Sequence, residues 1–184
     1  MIALDKKEIR KKLLKKRNNL SITEALDKSS VIINNLKSLK EYQTANTIAI
    51  YVSYNNEVDT IEFIKENISI KRICVPKIIN KEMNFYLINS FDELKPGYFN
   101  ILEPITNHLI SKNEIDLMII PVVGYDKNFN RLGYGGGFYD RYLKGYKGSK
   151  IGIAYSFQRV EKIDTEKFDV PLDKVISENK DCLI

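Results

Sequence analysis

Cysteine, histidine, proline and long apolar runs are all scarce in this chain of 184 residues. The two cysteines, Cys74 inside an apolar strand-like segment and Cys182 near the C-terminus, give neither metal-ligand spacing nor the disulfide framework of a small secreted domain. They suit a reducing compartment, and a cytoplasmic location is expected. The single histidine, His108, has no partner in its loop and is assigned nothing. The longest purely apolar run, residues 117–123, contains Pro121 and falls far short of the roughly 20 residues that cross a bilayer. The lysine-rich Met1 end also lacks the apolar centre and small-residue cleavage pattern of a signal peptide. Neither export nor a membrane partner is expected.

What is present reads as one globular domain over residues 1–184. Hydrophobic residues make up 43% and charged residues 29%, no repeat or low-complexity linker appears, and Pro and Gly are sparse before residue 121. The net charge of +5 comes from lysines spread along the chain and interleaved with acids, the pattern of solvated surface. No nucleic-acid partner is expected.

Residues 4–19 read as a helix, and Ser21 with Glu24 forms a capping box that opens a second helix reaching about residue 40. Strands are predicted over 46–53, 72–78, 83–88, 115–123, 150–156 and 174–177, with short helices over 60–66 and 138–144. The run over 115–123 is apolar throughout, as in a strand covered on both faces. This alternation predicts an α/β fold, a three-layer α/β/α open and mainly parallel sheet. Ligands of such sheets bind beyond the carboxyl ends of the strands, which directs attention to the loops after Ser53, Val123 and Tyr155.

After Val123 comes Gly124-Tyr125-Asp126, and then Arg131-Leu132-Gly133-Tyr134-Gly135-Gly136-Gly137-Phe138-Tyr139-Asp140-Arg141-Tyr142-Leu143. Glycines between a strand and a helix let several main-chain N–H groups converge on an anion, with the positive end of the helix behind them. The segment is not a Walker A loop, because no Lys-Ser or Lys-Thr follows, and Phe138 breaks the dinucleotide fingerprint. By itself it reads equally as a flexible turn. Its neighbours favour a polyphosphate: Arg131 and Arg141 could meet phosphate oxygens and Asp140 could hold Mg²⁺.

In the first helix, Lys6, Arg10 and Arg17 fall on one side together with Ile2, Ile9, Leu13 and Leu20, while Lys7, Lys11, Lys12 and Lys15 point elsewhere. Each cation alone could snorkel along the rim of the core. Three together point to an internal anion. Glu57 follows the strand that ends near Ser53 and could accept two hydrogen bonds from N–H groups of a ligand, or could simply be a loop or helix-capping residue. Met83, Phe99 and Tyr139 suit either aromatic-ring packing or plain core.

The segments Pro121 to Asp126 and Asn130 to Leu143 resemble the signature of 5-formyltetrahydrofolate cyclo-ligases, and the similarity extends over the rest of the chain. The resemblance implies a Rossmann-like sheet similar to the NagB/RpiA/CoA-transferase-like folds. It also implies an enzyme that uses Mg·ATP to phosphorylate the formyl oxygen of 5-formyltetrahydrofolate before N10 closes the ring. ATP contacts are expected from Lys6, Lys7, Glu8, Ile9 and Arg10 and from the segment Arg131 to Tyr139, with Arg131 and Tyr139 as catalytic residues. Folate contacts are expected from Val52 and Glu57, and Mg²⁺ contacts from Asp140 and Asp173. The folate could carry a polyglutamate tail, and a monomer is expected.

The chain departs from the family pattern at three positions: Phe138 replaces a usual Tyr, Gly136 a Lys found in some relatives, and Phe168 a frequent His. A kinase of the same fold acting on another small carbonyl compound or sugar is the first alternative. A basic RNA-binding module without catalysis is the second.

Overall fold

The computed structural model describes residues 5–97 and 100–179. The readings made for Ile2, Phe99 and Cys182 fall outside these residues. Five α-helices occur among them: α1 (Lys6–Asn18), α2 (Ile22–Lys37), α3 (Lys40–Thr44), α4 (Ile61–Asn67) and α5 (Phe138–Leu143). The central strands are β1 (Thr47–Ile50), β2 (Arg72–Ile79), β3 (Glu82–Ile88), β6 (Leu109–Ile110), β7 (Leu117–Pro121), β10 (Ser149–Ile153) and β11 (Lys174–Ile176). Two small hairpins lie apart from them, β4 (Leu94–Pro96) with β5 (Leu102–Pro104) and β8 (Gly124–Tyr125) with β9 (Arg131–Leu132).

The seven central strands run β11-β10-β7-β1-β2-β3-β6. Every neighbour from β11 to β2 is parallel, whereas β3 and β6 join antiparallel. The fold is the expected α/β type. The antiparallel turn has a local cause: Asn80 and Lys81, both with positive φ (51° and 65°), link β2 to β3 in the left-handed conformation of a two-residue hairpin.

Alternation along the buried strands sends successive side chains to opposite faces. Ile48, Ile50, Ile73, Leu117, Ile119 and Ile151 join one core with Ile32 and Leu36 of α2 and Phe63 of α4. Ala49, Cys74, Met118 and Ile120 join the other, with Tyr142 and Leu143 of α5. Among the described residues no helix is long and apolar enough to cross a membrane.

Predicted and observed elements differ mainly at their ends. The second helix stops at Lys37 because Leu39 turns to extended backbone (ψ 143°) and starts α3 instead. β1 stops at Ile50, three residues short, and Ser53 donates its N–H to the Thr60 hydroxyl at 3.0 Å instead of joining the sheet.

α1 is held where it is by Leu13. A Cβ at Gly124 would lie only 2.7 Å from the Leu13 Cδ1 atom, so glycine there lets the helix rest directly on the backbone of β8. Burial of Leu13 contributes about 2 kcal/mol to this docking. The cationic side of α1 thereby faces the segment after β9.

Candidate active site

A cavity of about 1660 Å³ lies off the carboxyl ends of β1 and β7. It exceeds the roughly 300–1,000 Å³ of a pocket for one small ligand, which leaves room for two. α1 supplies Lys6, Arg10 and Arg17, and the segment after β9 supplies the glycines. The far wall comes from Val52, Glu57 and Met83.

On the glycine side, Gly135 has φ 102° and Gly137 has φ 66°, the left-handed region that favours glycine. Among the described residues, no main-chain N–H from Gly133 to Gly137 donates a hydrogen bond to the protein. Their carbonyls are engaged instead. Arg10 Nε donates to Gly133 O at 2.8 Å and Arg141 Nη1 to Gly136 O at 2.9 Å, which leaves the N–H groups for a ligand. The helix expected to reinforce them is weak, since α5 spans six residues and its cap, Gly137, has no side chain.

Arg131 sits on β9 with its side chain almost fully buried. Its Nη2 pairs with Asp140 Oδ2 at 3.0 Å, its Nη1 reaches Pro121 O at 3.4 Å, and its guanidinium lies 5.5 Å from the Tyr139 ring centre. Its Nε has no partner. A buried donor left in this state costs about 1–3 kcal/mol, which an anion in the cavity would recover.

Lys6 donates to Asp169 at 2.7 Å and to Glu166 at 3.3 Å. Burial pulls its ammonium pKa down, and the two carboxylates more than reverse this to raise it. An anion entering the cavity at Lys6 would have to compete with Asp169, which nothing in the sequence marks out.

On the other side, Val52 and Met83 are buried in the wall. Tyr139 also lines the cavity and meets Phe85 edge-on at 6.5 Å. The Glu57 carboxylate accepts from Tyr54 N at 2.9 Å and from the Tyr134 hydroxyl. Burial raises its pKa, and the Tyr134 hydrogen bond and the Arg17 charge oppose the rise.

The structure does not bring every expected residue here. Lys7 and Glu8 are exposed and, like Ile9, do not line the cavity, because the helix turns about 100° per residue and presents only the Lys6, Arg10 and Arg17 side. Asp140 and Asp173 do not share a site. Asp173 stands at the amino end of β11, where it accepts from Lys150 N at 2.7 Å, a strand length of roughly 10 Å from the carboxyl ends. Among the described residues there is also no cluster of three His, Cys, Asp or Glu able to hold a metal ion.

Comparison with known proteins agrees with this geometry. The sequence profile of the 5-formyltetrahydrofolate cyclo-ligase family matches residues 3–178. The chain is 31% identical to the 5-formyltetrahydrofolate cyclo-ligase of Haemophilus influenzae, covering 93% of this chain and 96% of that one. It is 33% identical to that of Mycoplasma pneumoniae, covering 95% and 99%. The NMR structure of Aquifex aeolicus 5,10-methenyltetrahydrofolate synthetase superposes with a TM-score of 0.87 at 38% identity, over 95% of this chain and 90% of that one. The 5,10-methenyltetrahydrofolate synthetase structure from Mycoplasma pneumoniae superposes with a TM-score of 0.79 at 34% identity, over 96% and 100%. With the matched region spanning nearly the whole chain and relatives more than 30% identical over almost all of it, this protein belongs to the 5-formyltetrahydrofolate cyclo-ligase family.

Proposed function

We propose that this chain uses ATP to close 5-formyltetrahydrofolate into 5,10-methenyltetrahydrofolate, with release of ADP and phosphate. The observation that carries the reading is one cavity in which the free N–H groups of residues 133–137 and the cations Arg10 and Arg131 face Val52, Glu57 and Tyr139.

The chemistry explains the need for a nucleotide. The formyl oxygen is a poor leaving group until it attacks the γ-phosphorus of ATP and ADP departs. N10 then attacks the formyl carbon and gives up its proton to solvent, the new C–N bond closes the ring, and the C–O bond breaks as phosphate leaves. The protein's part is positioning and charge neutralisation, as in other phosphoryl transfers. Arg131 neutralises charge on the transferred group, the glycine amides hold the phosphate chain, and Glu57 receives the pterin N–H groups.

Mg²⁺ enters this reading only as the ion that ATP phosphates bring with them. Asp140 is the one proposed carboxylate ligand in the cavity wall, and it already pairs with Arg131 and accepts from Val170 N. These residues do not build a site of their own for the ion.

An absorbance assay with 5-formyltetrahydrofolate, Mg²⁺ and ATP tests the proposal. Methenyl product and ADP are expected in equal amounts, and no product under any nucleotide condition would sink it. Glu57→Gln should raise the KM for the folate by about tenfold to a hundredfold, the loss expected for a charged hydrogen-bond acceptor, with a smaller effect on the KM for ATP. Steady-state kinetics with each substrate varied in turn checks the order of the two effects, and the reverse order would move Glu57 out of the pterin site.

A further inference from the structure

Arg17, on α1, is 4% exposed, yet among the described residues its side chain makes a single hydrogen bond. Nη2 donates to the Tyr134 hydroxyl at 2.7 Å, the guanidinium lies 5.5 Å from the centre of the same ring, and Nε has no partner. The Tyr134 hydroxyl donates onward to Glu57 Oε1. A buried cation and a half-buried carboxylate are thus joined through one phenol with no direct ion pair between them. That phenol belongs to the glycine segment and is 52% exposed. A guanidinium retained only to fill the core would be expected to use carboxylates or carbonyls on its own side of the cavity.

We propose that Arg17 and Tyr134 are positioning residues that aim the Glu57 carboxylate at the pterin and tie it to the nucleotide segment. The proposal rests on the folate reading of Glu57. Arg17 fixes the direction of the Tyr134 hydroxyl, since a hydroxyl that accepts from a guanidinium turns its own proton away, here toward Glu57. A pterin that donates to Glu57 then competes with Tyr134 for Oε1, so arrival of the folate is felt by the glycine segment.

Charge gives the relay a second consequence. The titratable groups around Glu57 are Tyr51 beyond β1, Tyr134 on the glycine segment, Tyr139 on α5, Tyr155 beyond β10 and Arg17. Of these only Arg17 is charged at neutral pH, and it opposes the upward push of burial on Glu57. Without it, Glu57 takes up a proton at higher pH and can no longer accept two hydrogen bonds.

The test uses Arg17→Met, Arg17→Lys, Tyr134→Phe and the Arg17→Met/Tyr134→Phe double variant, with kcat and both KM values followed from about pH 5 to 9. Arg17→Met is expected to raise the folate KM roughly tenfold, with a change of less than about threefold in the KM for ATP. The acid-side rise in folate KM should move up by about one pH unit, and Arg17→Lys should recover part of both effects. The double variant should be no worse than Arg17→Met, because both changes cut one chain of contacts. Equal changes in kcat and both KM values, an unmoved acid limb, or additive single effects would overturn the relay. If Arg17→Met does not fold, Tyr134→Phe decides: an unchanged folate KM and acid limb overturn the relay. Wild-type enzyme that fails to turn over 5-formyltetrahydrofolate sinks the underlying folate reading, whereas variants that match an active wild type sink the relay alone.

Discussion

Arg131→Ala is expected to lower kcat by roughly a thousandfold, the scale on which a cation placed on a transferred phosphoryl group acts. The side chain is buried, is held by Asp140 and Tyr139, and keeps Nε unpartnered, so the enzyme has little reorganisation left to do when charge develops beside it. Arg131→Lys should restore only a small part, because a lysine cannot both pair with Asp140 and present a planar fork to phosphate. Folding should survive, since β8 and β9 pair through main-chain groups and Asp140 retains some contact with solvent. Single-turnover kinetics together with a thermal melt separates the two effects. A variant with near wild-type kcat would remove Arg131 from the reaction.

Asp126→Ala should carry the largest stability loss near the site, about 3 kcal/mol or more. The carboxylate is buried and accepts from the main-chain N–H groups of Asn128, Asn130 and Ile163 and from the Asn130 amide. Its removal strands several donors at once and loosens the turn between β8 and β9, which sets the position of Arg131. The expected fall in melting temperature is roughly 6–12 °C for a chain of this size.

Burial pushes the Asp126 pKa up, but the hydrogen bonds from Asn130, Ile163 and Asn128 outweigh it, and the folded-state value lies below the ordinary one. A depressed carboxylate pKa means that its stabilising contribution is complete above the unfolded-state value of about 3.9 and is lost as pH falls through the folded-state value. Asp126→Asn should therefore flatten the acid unfolding curve below about pH 4 relative to wild type. Identical curves would show that Asp126 has no part in acid stability.

The parallel half of the sheet was legible because its strands are apolar on both faces, and the capping box at Ser21 marked α2 without tertiary information. The glycine segment was legible for a similar reason, since backbone freedom and flanking arginines are local properties. The hairpins β4–β5 and β8–β9 were not, because strands of two or three residues are too short to show a period. Side-chain partners across the cavity were equally hidden. The Lys6 to Asp169 pair spans 163 positions and the Tyr134 to Glu57 contact spans 77, and no periodicity links residues so far apart. Asp173 was misplaced as a companion of Asp140 because a motif gives order along the chain but not which end of a strand a residue occupies.

The first helix meets much later parts of the chain across the cavity, with Lys6 on Asp169 and Arg10 on Gly133. During translation, the first helix is made and then waits while more than a hundred residues follow before either of its counterparts leaves the ribosome. A polypeptide made only as far as residue 132 lacks both contacts, so the cavity takes its shape only after the later strands and loops have been added.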